Sequence, residues 1–166
     1  MKVFLITLAA LLLPGTQALA AAQAAVTVSP AGSQPTTIGA PESFTGTAKV
    51  DSRFKGTAPA RISGGTVSFE AGARTAWHTH PLGQTLIVSS GTGWVQEWEG
   101  AAQQIKTGDV VWIPPGVKHW HGASAKESMV HIAVSESLDG NTVTWMEKVT
   151  ARPVPTIIKC HFCIPA

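Results

Sequence analysis

His78 and His80 stand two positions apart in the run Trp77-His78-Thr79-His80-Pro81-Leu82-Gly83-Gln84, and His119 follows 35 positions after Gln84. Alternate residues of a strand share a face, so His78 and His80 present two imidazoles together. Three imidazoles and a side-chain amide make a metal-ligand set that carries no charge. A divalent ion held by His78, His80, Gln84 and His119 keeps its full formal charge, whereas a carboxylate at position 84 would cancel one unit. That sharpens the ion as a Lewis acid and lowers the pKa of a bound hydroxyl. It also disfavours a trivalent ion, so iron redox cycling is less supported. Gln84 either completes the ligand set or hydrogen-bonds a water held by the ion. The mixed nitrogen and oxygen donors suit Mn, Fe, Co, Ni or Zn.

Two further histidines accompany the set. Five of the six histidines lie between residues 78 and 131, too concentrated to be scattered surface residues. His121 shares a strand face with His119, and a fifth ligand would crowd the ion, so an acid–base role fits it better. His131 falls on a later segment where Met129, His131 and Ala133 face one way. It is either a general base kept neutral by a nearby cation or a satisfied core histidine. Thr75, Val67 and Trp77 are placed by sequence proximity to line the pocket. Trp94, Trp98, Trp112, Trp120 and Trp145 read as core, interface or rim residues.

The elements that must position these side chains are short strands. From Phe44 onward, β-prone runs alternate with turn signals: 44–50, 61–69, 75–80, 84–89, 93–98, 102–105, 109–113, 119–122, 129–136 and 143–149. Turns are signalled by Glu70-Ala71-Gly72, Ser90-Gly91-Thr92-Gly93, Lys106-Thr107-Gly108, Pro114-Pro115-Gly116 and Asp139-Gly140-Asn141. No segment keeps a helical hydrophobic period over three turns. The expectation is an all-β sandwich or barrel in a single domain.

The glycine frame around the histidines is specific. Gly72, His78, His80, Gln84 and Gly91 form one block, and Gly108, Pro114, Gly116 and His119 form a second. The two blocks resemble the paired motifs of the cupin superfamily, whose fold is a double-stranded β-helix (jelly-roll) barrel. Gln84 departs from the glutamate usual there, and Ala123 stands where an asparagine often closes the second block. The runs Phe44–Thr47, Gly72–Val88, Gly108–Trp112, Pro115–Ala123, Leu138–Gly140 and Trp145–Glu147 are similar to the bacterial cupin hydroxynitrile lyases, across about residues 44–150. In that branch both departures are normal. The resemblance implies Mn(II) on His78, His80, Gln84 and His119, and reversible cleavage of a cyanohydrin such as mandelonitrile to an aldehyde and hydrogen cyanide. His121, His131 and Thr75 are the implied catalytic residues. A cupin dioxygenase or decarboxylase, or a binding cupin without turnover, stands as the alternative.

The rest of the chain bounds the setting. Lys2 precedes an uncharged run from Val3 to Leu13, Pro14-Gly15 break it, and Ala18-Leu19-Ala20 is a small-x-small site. Residues 1–20 therefore read as a secretory signal peptide, since the run falls short of the ~20 apolar residues that span a bilayer. Periplasmic or secreted location follows, with no membrane association after processing. Residues 21–43, rich in Ala, Ser, Thr, Pro and Gly, read as a flexible lead-in to a cupin domain over 44–150. The tail 151–166 holds Cys160-His161-Phe162-Cys163, which suits a small disulfide or a peripheral metal site. A net charge of +2 with no basic run excludes nucleic acid as the expected partner. A small-molecule substrate is expected instead, with a homo-oligomer (dimer or tetramer) covering exposed sheet edges.

Overall fold

The computed structural model describes residues 25–150, and both the expected signal peptide and the Cys160–Cys163 tail lie outside them. Among these residues twelve strands and no helix form. They are β1 (Thr37–Ile38), β2 (Phe44–Thr45), β3 (Ala48–Lys55), β4 (Ile62–Phe69), β5 (Arg74–Thr75) and β6 (His78–Thr79). Then come β7 (Gln84–Glu97), β8 (Gln103–Lys106), β9 (Val110–Ile113), β10 (His119–Ala123), β11 (Met129–Glu136) and β12 (Thr144–Trp145).

All pairings are antiparallel, in the order β1-β3-β4-β11-β7-β10-β5-β2. The sheet curls because β7 serves both sides of it. Its first half pairs with β11 and β9, while its second half pairs with β10 and β8. Ser90-Gly91-Thr92-Gly93 reads as a turn from sequence, yet β7 runs through it as a bend. Gly91 makes this possible: it holds φ +78°, and a Cβ there would sit 1.9 Å from the Ser128 carbonyl oxygen. The expected strand 44–50 is likewise divided into β2 and β3, and β1 lies inside the stretch expected as lead-in.

Alternation along the strands fills the space between the two sides. Val67 and Phe69 from β4, Leu86 and Val88 from β7, and Met129 from β11 are buried in one apolar cluster. At ~25 cal/mol per Å² of apolar surface, each such side chain contributes roughly 1.5–3 kcal/mol. On the same faces, farther along, the alternation delivers histidines instead of aliphatics. His131 on β11 pairs with Val67 and Val88, just beyond a register shift between Val130 and His131. Such an irregularity locally re-aims the strand.

Candidate metal centre

β6 and β10 bring the ligands together, because His119 pairs directly with His78. His80 follows β6, and Gln84 opens β7 after Gly83, whose φ of +82° completes the turn. One ring nitrogen from each of His78, His80 and His119 lies within 4.8 Å of the other two, and all three residues are buried.

The proton on each ring is fixed by a backbone carbonyl. His78 Nδ1 donates to Ala76 at 2.9 Å, His80 Nδ1 to Thr142 at 2.7 Å and His119 Nδ1 to Val117 at 2.9 Å. A carbonyl only accepts, so each Nδ1 carries the hydrogen and each neutral ring turns a bare Nε2 lone pair inward. Gln84 Oε1 sits 3.2 Å from His119 Nε2, which sets one acceptor against another. His80 Nε2 is buried with no partner at all. Lone pairs that face each other in a buried space are satisfied by a donor or a cation placed between them. The residues present thus fit a divalent ion, with His78, His80 and His119 able to hold it and Gln84 beside them.

Burial keeps these imidazoles uncharged. Removal from water lowers His78 to about 3, assisted by neighbouring His119, and lowers His119 to about 4. His80 is shifted the same way by the same cause. Neutral rings at neutral pH are the form in which histidine binds metal.

His121 and His131 form a second arrangement next to the first. His131 Nε2 lies 3.1 Å from His121 Nδ1, so one proton is shared along that contact. The outer nitrogens, His121 Nε2 and His131 Nδ1, are buried without partners. The His121 ring is 5.3 Å from that of His78, and Phe69 packs against both members of the pair. Burial, with His131 next to it, holds His121 well below the ordinary histidine range, and burial lowers His131 to about 4. Thr75 Oγ1 accepts the His121 backbone N–H at 3.2 Å, leaving its own hydroxyl hydrogen free to donate.

A cavity of about 560 Å³ opens onto His80 and Gln84, with Val67, Ala133 and Ser135 in its wall. Its size is that of a small-molecule site, which typically measures ~300–1,000 Å³. His121 and His131 do not line it; His131 stands behind its wall at Val67, its cross-strand neighbour. Trp77 was expected at the pocket, but its ring packs on Trp98 at 5.0 Å between centroids. Conversely, the Trp145 ring lies 4.7 Å from His78, a placement its reading as a core, interface or rim residue did not supply. The Thr142 carbonyl was also missed, because a backbone acceptor leaves no mark in residue type.

Known proteins share this architecture. The cupin domain family matches residues 65–135, the stretch from β4 to β11. An (R)-mandelonitrile lyase from Granulicella tundricola is 56% identical over 119 residues, which cover 72% of this chain and 91% of that protein. A cupin-like protein from Thermotoga maritima is 41% identical with a TM-score of 0.65, covering 69% of this chain and 87% of that one. A cupin 2 conserved barrel domain protein from Rhodopseudomonas palustris, only 14% identical, shares the fold with a TM-score of 0.56 over 68% of this chain and 77% of that one. With its glycine frame, its curled all-β sheet and its three inward histidines, the chain belongs to the cupin family.

Proposed function

We propose that this chain is a hydroxynitrile lyase, cleaving and forming cyanohydrins such as mandelonitrile with a divalent ion, Mn(II) foremost, at the three-histidine site. The observation that carries this reading is the convergence of bare Nε2 lone pairs and the Gln84 amide oxygen, all uncharged. The 56% identity to an (R)-mandelonitrile lyase supports the choice of substrate class. His78, His80, Gln84 and His119 would hold the ion. Bound there, it would acidify a hydroxyl and stabilise developing negative charge at undiminished formal charge.

The protein's own groups handle the proton. Cleavage breaks the bond between the carbinol carbon and the nitrile carbon, whose electron pair leaves with cyanide while the hydroxyl oxygen becomes the carbonyl. The hydroxyl proton goes, on the metal-centre side, to the outer Nε2 of His121, whose ring lies 5.3 Å from that of His78. Protonation leaves the pair with one positive charge, which a shift along the 3.1 Å contact spreads over both rings. The same proton is returned to cyanide, giving hydrogen cyanide and restoring the pair. Thr75, held against the His121 backbone N–H through Oγ1, keeps its hydroxyl hydrogen free to orient a substrate oxygen on that side of the centre. Val67 and Ala133 offer apolar contact for the substrate's side chain in the cavity.

We also place the mature protein outside the cytoplasm, supported by the leader-like stretch from Lys2 to Ala20, and as a homo-oligomer, supported by the exposed Val110 and Trp112 on β9. The testing experiment is metal analysis of the purified protein, followed by mandelonitrile cleavage with Mn(II) restored. Release of benzaldehyde is expected; a fully metallated protein that releases none overturns the assignment.

A further inference from the structure

Past β11 the chain leaves the stretch matched by the cupin domain family, which ends at residue 135, and returns across the metal centre. This return begins at a turn closed by reciprocal backbone bonds between Leu138 and Asn141, each 2.9 Å. Thr142 then supplies the carbonyl that fixes the His80 ring at 2.7 Å. Three residues later β12 pairs with β6, Trp145 opposite His78. The pairing is extended by Met146 N donating to Trp77 O at 2.8 Å and Trp77 N donating to Glu147 O at 3.0 Å. The far end is tied down as well. Arg74 Nη2 donates to Val149 O at 3.2 Å, and Lys148 Nζ donates to the carbonyls of Pro41 and Phe44.

The Trp145 indole lies against the imidazole of His78, with ring centroids 4.7 Å apart and planes at 41°. The His119 ring is 4.2 Å from that same imidazole. His78 is thus held between another ligand and an indole, and Phe44 backs the indole at 5.8 Å. Trp145 is 40% exposed, so this ring sits at the boundary between the buried ligand and water rather than deep in the core. An exposed tryptophan on a two-residue strand does little for a hydrophobic core. Of its two ring contacts, the nearer is with the ligand His78 and the other with Phe44.

We propose that residues 142–147 form a clamp on the metal centre, in which Trp145 is a positioning residue that fixes the His78 ring for metal binding while the Thr142 carbonyl fixes His80. Two of the three histidine ligands are thereby oriented by one segment that lies past the stretch matched by the cupin domain family. The physical gain is pre-organisation. A ligand ring already held in its bound rotamer loses less freedom on capturing an ion, and outer-shell partners of this kind typically carry about 10–100-fold in metal affinity. The clamp rests on the three-histidine metal reading but not on the identity of the substrate.

The test is titration of the metal-free full-length protein with Zn(II) and with Mn(II), comparing wild type with Trp145→Ala, Trp145→Leu and Trp145→Phe. Thermal unfolding is recorded in parallel. Affinity is expected to fall roughly 10–100-fold in the Ala and Leu variants and to stay close to wild type in Phe, which keeps an aromatic face for His78. Wild-type affinity in a folded Ala or Leu variant would overturn the clamp. Should Ala fail to fold, the Leu and Phe pair decides in the same way, because both keep an apolar side chain against Phe44. A wild-type protein that binds neither ion would remove the metal reading and the clamp together, whereas metal binding without cyanohydrin cleavage would leave the clamp standing.

Discussion

Five buried histidines lie side by side in this barrel, yet they fall into two groups with opposite proton arrangements. In His78, His80 and His119 each Nδ1 proton is committed to a backbone carbonyl, which cannot give one back. In His121 and His131 the partner of each ring is the other ring, and the proton between them can sit on either side. The first group is therefore suited to hold something and the second to move something. Residue type is the same in both; the partner of the second nitrogen makes the difference.

The most severe way to break this contrast is His119→Ala. It removes one lone pair from the centre and the neighbour of Gln84 Oε1, so metal content of the purified variant is expected to fall below detection and activity with it. Next in size is His131→Ala, for which metal content is expected to remain at the wild-type level while turnover drops roughly 10²–10⁴-fold. A fully active His131→Ala protein would end its assignment to the proton relay.

Acid separates the groups by another route. His131 is 0% exposed and lowered to about 4 by burial, and its facing titratable neighbour is His121. Between roughly pH 6.5, the ordinary histidine value, and pH 4 the unfolded chain binds a proton that folded His131 refuses, so stability falls as pH falls. Above that window the contribution is constant. For this residue the slope reaches at most about 1.4 kcal/mol per pH unit, and denaturant titrations of the metal-free protein should show it reduced in His131→Leu. A finer change is Gln84→Glu, which keeps the shape but adds a charge. Tighter metal retention with slower cyanohydrin cleavage is expected, read from chelator competition and initial rates on the same preparation. Unchanged rates would show that the neutral amide is not what sets the ion's acidity.

Much of this centre is legible in the sequence because strand periodicity is short and rigid. The spacing of His78 and His80 and the glycines at 72, 91, 108 and 116 place side chains without any knowledge of the rest of the fold. Gly91 shows the limit. As a residue type it signals a turn, but only the long-range pairing of β7 with both β11 and β10 makes it a bend inside one strand. The carbonyls of Ala76, Val117 and Thr142 are invisible for a different reason, since every residue carries one and only tertiary placement selects which is used. Trp145 had a visible residue type but no visible partner: it stands 67 positions from His78, and the β6–β12 pairing that joins them is two residues long.

The division between locked and shared protons can be measured directly on the metal-free protein by long-range ¹H–¹⁵N correlation of the imidazole nitrogens near neutral pH. His78, His80 and His119 are expected as fixed tautomers protonated at Nδ1 with bare Nε2, and His121 and His131 as a pair whose contacting nitrogens share one proton. Protonation at Nε2 in any of the first three, or two independently fixed tautomers in the pair, would contradict the account.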